Sequence, residues 1–82
     1  MSKEIVIITG GASGLGLELV KQFMEKNYFV CNIDRDFEKM KILNNTYKGN
    51  YEGFIGDISD SRFVKEAVSY THLRAHETLS DV

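Results

Sequence analysis

Apolar residues occur along the chain in three short runs, and each run is followed by a stretch in which they recur at helical spacing. The first run is "IVII" at residues 5–8, the second is "YFVCNI" at 28–33, and the third is "YEGFIGDI" at 51–58. A continuous apolar run is typical of a strand that is buried on both faces of a parallel sheet. The pattern therefore predicts three strands that need helices above and below them.

The stretches that follow the first two runs predict helices. The first helix begins at Gly14, with Ser13 as its N-cap and Asn27 as a left-handed residue that ends it. Its apolar face consists of Leu15, Leu19 and Phe23. The segment "DFEKMKIL" at 36–43 predicts a second, shorter helix, followed by a loop at 44–50.

A third helix is predicted after the last run. Either Ser59 or Asp60 would cap it, and "FVKEAV" at 63–68 supplies its apolar face. The resulting βαβαβα order implies parallel strands joined by right-handed crossovers, in the spatial order 3-2-1. The sequence therefore predicts an α/β chain that forms part of a Rossmann-type, doubly wound parallel sheet.

The predicted βαβαβα pattern lies within residues 1–70, and residues 71–82 do not continue it. The final segment "THLRAHETLSDV" is polar and contains no β-branched run that would form a fourth strand. We expect residues 1–70 to be the N-terminal half of a doubly wound domain. We expect residues 71–82 to be foreign to the fold, read through from a truncated reading frame; the alternative is a natural tail that continues the third helix.

Charge, cysteine and histidine content exclude several classes of protein. The chain of 82 residues has 10 basic and 12 acidic residues without a block of like charge, so we expect neither nucleic acid nor a membrane as partner. Cys31 is the only cysteine, which excludes an internal disulfide and favours a cytoplasmic protein. His72 and His76 would share a helix face, but two ligands make a weak metal site, and we expect solvated side chains and no bound metal.

The segment "TGGASGLG" at residues 9–16 joins the first predicted strand to the first predicted helix. Glycines let the backbone turn sharply and approach a ligand closely, and the helix offers unpaired N–H groups and the positive end of its dipole. This arrangement predicts a site for the diphosphate of a nucleotide; a glycine turn without a ligand is the alternative. The predicted binding residues are Thr9, Gly10, Ser13, Gly14, Leu15 and Gly16.

The same segment resembles the T-G-x-x-x-G-x-G cofactor motif of the short-chain dehydrogenases/reductases. Thr9, Gly10, Gly14 and Gly16 match the motif, which here lies between a predicted strand and a predicted helix. The resemblance implies a nicotinamide dinucleotide cofactor and a parent enzyme that oxidises or reduces an alcohol or ketone. It is also compatible with a homo-oligomeric parent.

Asp34 ends the second predicted strand, about where an acidic residue accepts hydrogen bonds from the adenosine ribose. Its charge would repel a 2′-phosphate, which favours NAD over NADP, whereas Arg35 could pair with that phosphate. In the resembled family, NADP-using members often carry a basic residue at the position of Ser13. We therefore predict NAD, with NADP as the less favoured cofactor. Capping of the next helix is the alternative role for Asp34 and is the expected role of Asp36.

The resemblance also implies roles for two residues that follow the third strand. Asp57 would accept a hydrogen bond from the adenine amino group, and Ile58 would pack near the adenine ring. The alternative is that Asp57 caps the third helix, a role that Ser59 or Asp60 could fill as well.

The catalytic residues that the resemblance implies have no counterpart in this chain. In the resembled family, catalysis depends on a set of Ser, Tyr and Lys residues that includes a Tyr-x-x-x-Lys pair. The residues that lie four positions after the tyrosines here are Asn32, Tyr51, Ile55 and Arg74. We therefore predict no catalytic residue and an inactive fragment of a dehydrogenase. A non-catalytic nucleotide-binding sensor or interaction module is the alternative.

Overall fold

Three strands and three helices alternate along the part of the chain that the structure describes. The computed structural model describes residues 4–80, with side chains described for residues 4–75. The elements are β1 (Ile5–Thr9), α1 (Gly14–Glu25), β2 (Phe29–Asp34), α2 (Phe37–Thr46), β3 (Tyr51–Ile55) and α3 (Ser61–Ser80). The predicted βαβαβα order is confirmed.

The strands form one parallel sheet in which β2 lies between β1 and β3. Ile5 of β1 is opposite Phe29 of β2, and Val30 of β2 is opposite Tyr51 of β3. The spatial order 3-2-1 and the Rossmann-type α/β class are therefore confirmed. Because the strands are parallel, their carboxyl ends share one edge of the sheet, and the turns that follow the strands meet there.

The central strand β2 carries much of the core, since residues 29–33 have no exposed surface. Successive side chains of a strand face opposite sides of the sheet. Val30 packs with Val20 of α1 on one side, and Cys31 packs with Ala67 of α3 on the other. Burial raises the pKa of the Cys31 thiol, which agrees with the ordinary packing role of a buried cysteine.

The end of α1 agrees with the prediction from sequence. Asn27 has a φ of 68°, in the left-handed region. The Asn27 N–H donates to the Met24 carbonyl oxygen at 3.1 Å, and the Tyr28 N–H donates to the Phe23 carbonyl oxygen at 3.1 Å. These bonds satisfy carbonyl groups that the end of a helix leaves without a helical partner.

Two other boundaries differ from the prediction. α2 continues to Thr46 and includes part of the predicted loop at 44–50, with the Tyr47 N–H donating to the Leu43 carbonyl oxygen at 2.9 Å. β3 ends at Ile55, earlier than predicted, because the glycine that follows begins a turn. The turn after β3 is therefore longer than the sequence pattern indicates.

The third helix is longer than the apolar pattern predicts and continues without a break to Ser80. Thr71 and Ala75 are buried on it, and the Thr71 hydroxyl donates to the Ala67 carbonyl oxygen at 2.8 Å. The backbone thus follows the alternative in which the final segment continues the third helix. The foreign origin of residues 71–82 stays a prediction.

Candidate functional site

The glycine turn, residues 9–16, crosses the carboxyl end of β2. Gly10 and Gly14 have φ values of 70° and 58°, a region in which a side chain is strained. The Gly10 N–H donates to the Ile33 carbonyl oxygen at 2.8 Å, which holds the start of the turn against β2. These two glycines therefore give the chain a sharp turn that other residues would form only at a cost.

Gly16 has a different role, because it allows α1 to pack closely against the glycine turn. A Cβ atom at this position would overlap the carbonyl oxygen of Gly10. Backbone atoms cannot move aside as the end of a flexible side chain can, so the position requires glycine. The motif thus contains two glycines that set backbone conformation and one that permits close packing.

The N-terminus of α1 has no side-chain cap. Ser13 occupies the N-cap position with an extended backbone, as predicted, but its side chain makes no capping hydrogen bond. The first turn of α1 contains no acidic residue, and Leu15 in that turn is 79 % exposed. A helix N-terminus with uncapped N–H groups beside a glycine turn is an arrangement that binds anions.

The Asp34 side chain connects the glycine turn to the turn that follows β2. Its Oδ2 accepts a hydrogen bond from the Ala12 N–H at 3.0 Å, and its Oδ1 accepts one from the Asp36 N–H at 2.9 Å. The Gly56 N–H, after β3, donates to the Asp34 carbonyl oxygen at 3.0 Å. Asp34 therefore lies where three turns meet. The cap of α2 is Asp36, as predicted, which accepts from the Lys39 N–H at 3.1 Å.

A cleft of about 140 Å³ lies beside Asp34 at the carboxyl edge of the sheet. Its lining residues are Gly10, Ile33, Asp34, Arg35, Gly56 and Ile58. Ile58 is 52 % exposed and supplies apolar surface there. The structure thus brings residues from all three predicted parts of the site, after β1, β2 and β3, into one cleft.

Asp57 lies in the turn between β3 and α3 and does not cap the helix. Its Oδ1 accepts a hydrogen bond from the Ser59 N–H at 2.9 Å. The cap of α3 is Asp60, whose Oδ1 accepts from the Phe63 N–H at 3.2 Å. Hydrogen bonds from the backbone and side chain of Ser59, with the positive charge of Arg35, lower the pKa of the Asp57 carboxyl. Asp57 is therefore ionised at neutral pH.

Comparison with protein families identifies the group to which this fold and motif belong. Residues 4–77 match the family model of the short chain dehydrogenases, and this range contains every site residue described above. The chain belongs to the short-chain dehydrogenase family. The family resemblance of the "TGGASGLG" segment is thereby confirmed.

Curated relatives in this family are considerably longer than the chain. The 1,2-dihydroxy-1,2-dihydronaphthalene dehydrogenase of Pseudomonas putida is 33% identical over 70 residues, which cover 85% of this chain and 27% of the relative. The cis-2,3-dihydrobiphenyl-2,3-diol dehydrogenase of Paraburkholderia xenovorans is 38% identical over 66 residues, which cover 80% of this chain and 24% of the relative. The chain spans about a quarter of the length of these relatives.

A solved structure has the same fold. It is the 3-ketoacyl-(acyl-carrier-protein) reductase from Brucella melitensis, determined in complex with NADH. The TM-score is 0.78 at 24% sequence identity, and the match covers 92% of this chain and 31% of that chain. This similarity confirms the partial Rossmann-type fold of the short-chain dehydrogenase chain.

The described part of the chain has neither a metal centre nor a membrane-spanning helix. Among the described side chains, no group of three His, Cys, Asp or Glu residues could hold a metal ion. His72 is exposed, and the side chain of His76 lies outside the described residues. No helix within residues 4–80 is long and apolar enough to cross a membrane.

Sequence reasoning does not identify two residues that shape the site. Asn32 of β2 lies beneath Gly11, where its side chain occupies the space of a Cβ atom. Gly56 lets the ring of Phe63 pack against the β3–α3 turn, because a Cβ at Gly56 would overlap that ring. A polar residue inside the otherwise apolar second strand is the signal that could have revealed Asn32.

Proposed function

We propose that this chain is the cofactor-binding N-terminal part of an NAD-dependent short-chain dehydrogenase. The observation that carries the proposal is the Asp34 carboxylate, which is joined to the glycine turn through the Ala12 N–H at 3.0 Å. The diphosphate and the adenosine ribose are neighbours in a dinucleotide, and the groups suited to bind them are neighbours here. This proximity supports one continuous site for the cofactor.

The glycine turn would hold the diphosphate. Gly10 and Gly14 place backbone in the left-handed region without a Cβ, and Gly16 lets α1 approach the turn, so a phosphate can come close to the backbone there. The uncapped N-terminus of α1 adds the positive end of a helix dipole. Thr9, Ser13 and Leu15 complete the proposed diphosphate site.

The Asp34 carboxylate would accept hydrogen bonds from the ribose hydroxyls. Each of its oxygens already accepts one backbone N–H, which fixes the carboxylate and leaves further acceptor positions on both atoms. Its negative charge opposes a 2′-phosphate, whereas the Arg35 guanidinium in the same cleft could pair with that phosphate and weakly favour NADP. Because Ser13 adds no positive charge, we propose NAD as the preferred cofactor.

The adenine would lie in the cleft beside Ile58. The lowered pKa keeps the Asp57 carboxyl ionised, as an aspartate normally is at neutral pH, and its oxygens are acceptors suited to the adenine amino group. The cap of α3 is Asp60, which leaves Asp57 available for this role. Ile58 offers the apolar surface against which a planar ring packs.

In the parent enzyme, the nicotinamide would exchange a hydride with the carbon of an alcohol or ketone. The relatives are named as dehydrogenases of dihydroxylated dihydro-aromatic compounds, and their identity to this chain lies in the cofactor-binding part. This identity supports dinucleotide binding. We propose an alcohol or ketone as the class of substrate and the cytoplasm as the location. Without a Tyr-x-x-x-Lys pair, this chain alone would bind cofactor and leave substrate unchanged.

We further propose that residues 71–82 come from read-through of a truncated reading frame, although α3 continues through Thr71 and Ala75. The polar composition of this segment supports the proposal. Sequencing of the gene in its genomic neighbourhood tests it. An uninterrupted native stop codon in frame after Val82 would overturn it.

Calorimetric titration of the folded chain with NAD and with NADP tests the cofactor proposal. We expect NAD to bind more tightly than NADP, and we expect Ser13→Arg to narrow the difference by supplying a partner for the 2′-phosphate. Equal or tighter binding of NADP to the unaltered chain would contradict the preference for NAD. Absence of binding by either dinucleotide to a folded chain would contradict cofactor binding itself.

The full-length transcript separates an enzyme from a nucleotide sensor. A Tyr-x-x-x-Lys pair downstream of the present sequence is expected for a dehydrogenase. A transcript that keeps the cofactor site and lacks the pair would support a non-catalytic sensor.

A further inference from the structure

Asn32 is a polar residue at the centre of the buried sheet. It has no exposed surface, and it lies opposite Ile8 of β1 and Gly53 of β3. An apolar residue of similar size would fill this position without polar atoms that need hydrogen-bond partners. Packing alone therefore does not explain why an asparagine occupies it.

The carboxamide of Asn32 is fixed at one end only. Its Nδ2 donates to the Tyr51 hydroxyl at 3.2 Å and lies 3.5 Å from the Met40 sulfur. Its Oδ1 accepts no hydrogen bond from the described residues. Because a buried carbonyl oxygen without a donor is costly, the contact that this oxygen does make needs an explanation.

That contact is with the glycine turn. A Cβ atom on Gly11 would overlap Oδ1 of Asn32, so the oxygen occupies the space that a side chain at position 11 would fill. The carboxamide therefore forms the surface on which the backbone of Gly11 rests. Contacts between Cα–H groups and carbonyl oxygens are weakly favourable and strongly dependent on distance.

Three successive residues of the turn are held by the last three residues of β2. The contacts are a 2.8 Å hydrogen bond from Gly10 to Ile33, the packing of Gly11 on Asn32, and a 3.0 Å hydrogen bond from Ala12 to Asp34. The middle contact is the only one of the three made by a side chain that is fully buried. Loss of this contact would leave Gly11 without support between two anchored neighbours.

We propose that Asn32 is a positioning residue for the diphosphate-binding turn and that Gly11 and Asn32 form a matched pair. This inference rests on the proposed dinucleotide-binding function. Asn32 does not touch the cofactor; it acts through Gly11, by holding the turn in the conformation that receives the diphosphate. A turn that is already in its binding conformation loses less conformational freedom when the ligand arrives.

A second pair of the same kind provides a matched control. Asn44 of α2 lies against Gly53 of β3, and its Oδ1 occupies the space of a Gly53 Cβ without accepting a hydrogen bond from the described residues. The Asn44 Nδ2 donates to the Gly53 carbonyl oxygen at 3.3 Å. This pair joins α2 to β3 and contains no residue of the glycine turn.

The test measures the affinities of ADP and adenosine for the chain and its variants by calorimetry. ADP carries the diphosphate that the turn would bind, whereas adenosine reports only on the sites near Asp34 and Asp57. We expect Asn32→Ala to weaken ADP binding by about tenfold and to leave adenosine binding within about twofold of the unaltered chain. A general loss of stability would lower both affinities together.

The matched pair is tested by a double-mutant cycle. We expect Gly11→Ala alone to weaken ADP binding, because its Cβ displaces the Asn32 side chain. In the Asn32→Ala background, the same Cβ enters the space that the carboxamide leaves, and ADP binding recovers most of the loss. Asn44→Ala is the control, because it leaves Gly53 and the Tyr51 hydroxyl that holds Asn32 in place, and it is expected to change the unfolding midpoint and leave the ratio of ADP to adenosine affinity unchanged.

Two results would overturn the inference while the proposed function stands. One is an unchanged ratio of ADP to adenosine affinity in Asn32→Ala, and the other is simple additivity of Gly11→Ala and Asn32→Ala. If Asn32→Ala does not unfold cooperatively, Asn32→Ser is used in its place. An unchanged ratio of ADP to adenosine affinity in Asn32→Ser would then overturn the inference. Failure of the folded, unaltered chain to bind ADP would overturn the inference and the proposed function together.

Discussion

The N-termini of α1 and α3 both follow glycine-containing turns at the same edge of the sheet. They differ in whether a side chain caps their first N–H groups. The N-terminus of α3 is capped by Asp60, whose Oδ1 accepts hydrogen bonds from the Arg62 and Phe63 N–H groups at 3.1 and 3.2 Å. The N-terminus of α1 has Ser13 at the cap position without a capping bond. The chain thus satisfies the first amides of α3 itself and leaves those of α1 for an anion.

The two turns also differ in what holds them in place. Both turns are joined to β2, through the Gly10 N–H and the Gly56 N–H. The turn before α3 also has internal bonds, from the Ser59 N–H to the Asp57 carboxylate at 2.9 Å and from the Asp60 N–H to the Asp57 carbonyl oxygen at 3.1 Å. The turn before α1 has further contacts with β2, through Gly11 and Ala12. The anchors on β2 use the Gly10 and Ala12 N–H groups, so the N–H groups left for a ligand are those at the uncapped start of α1.

The largest effect is expected at Gly16, where α1 packs against the glycine turn. Gly16→Ala introduces a Cβ that overlaps the Gly10 carbonyl oxygen, and we expect the free energy of unfolding to fall by about 3 kcal/mol or more. Gly49→Ala is the control, because Gly49 has a positive φ but nothing lies within 4 Å of a Cβ there. Urea denaturation followed by circular dichroism measures both. Equal losses in the two variants would show that close packing at Gly16 is unimportant.

The next effect concerns the anchor between β2 and the glycine turn. Asp34→Ala removes the acceptor of the Ala12 and Asp36 N–H groups, and we expect it to cost about 1–3 kcal/mol of stability and to weaken NAD binding at least about tenfold. Asp36→Ala removes only the cap of α2, so NAD affinity should not change. Calorimetric titration with NAD measures the affinities of the unaltered chain, Asp34→Ala and Asp36→Ala. A similar loss of affinity in both variants would remove Asp34 from the cofactor site.

A smaller effect separates the two helix N-termini directly. Asp60→Ala removes a side-chain cap, and we expect it to cost about 1 kcal/mol of stability without changing NAD affinity. Ser13→Ala should change stability by less than about 0.5 kcal/mol, because the Ser13 hydroxyl makes no capping bond. Thermal unfolding of both variants measures the difference. A loss in Ser13→Ala as large as that in Asp60→Ala would mean that α1 is capped in solution.

The smallest effect is a pH dependence in the turn before α3. The fold lowers the pKa of Asp57 from its ordinary value of 3.8, so the ionised carboxylate stabilises the folded state. This contribution is present above pH 3.8 and is lost as the pH falls through the lower folded-state pKa. In denaturation series at decreasing pH, Asp57→Asn should lose less stability over that range than the unaltered chain. Parallel curves for the two chains would exclude this contribution.

Local patterns of sequence are sufficient to predict the order of the elements and the position of the glycine turn. Runs of β-branched residues and helical spacing are properties of single segments, and the Asp34 position follows from the end of a strand. Such patterns do not predict the length of α3. In the described part of the chain, its buried face consists of Ala67, Thr71 and Ala75, which are small residues whose hydropathy differs little from that of their neighbours. Their spacing of four along one helix face is the pattern that accounts for their burial.

The contacts within the site depend on the path of the backbone in three dimensions, and a single segment does not contain that information. The bond between Ala12 and Asp34 forms only because the glycine turn crosses the end of β2. The packing of Gly11 on Asn32 depends on the same crossing. The absence of a cap on α1 is equally hidden, since Ser13 is a residue type that caps many helices.

The central claim is that the open N-terminus of α1 and its glycine turn bind a dinucleotide. Thermal unfolding of the chain with and without millimolar NAD tests it, with Gly14→Val and Gly49→Val as a pair that share a positive φ and open space around the Cβ position. We predict stabilisation by about 2–4 kcal/mol for the unaltered chain and Gly49→Val, and none for Gly14→Val. A cooperative transition of the unaltered chain whose midpoint does not move with NAD would contradict the account.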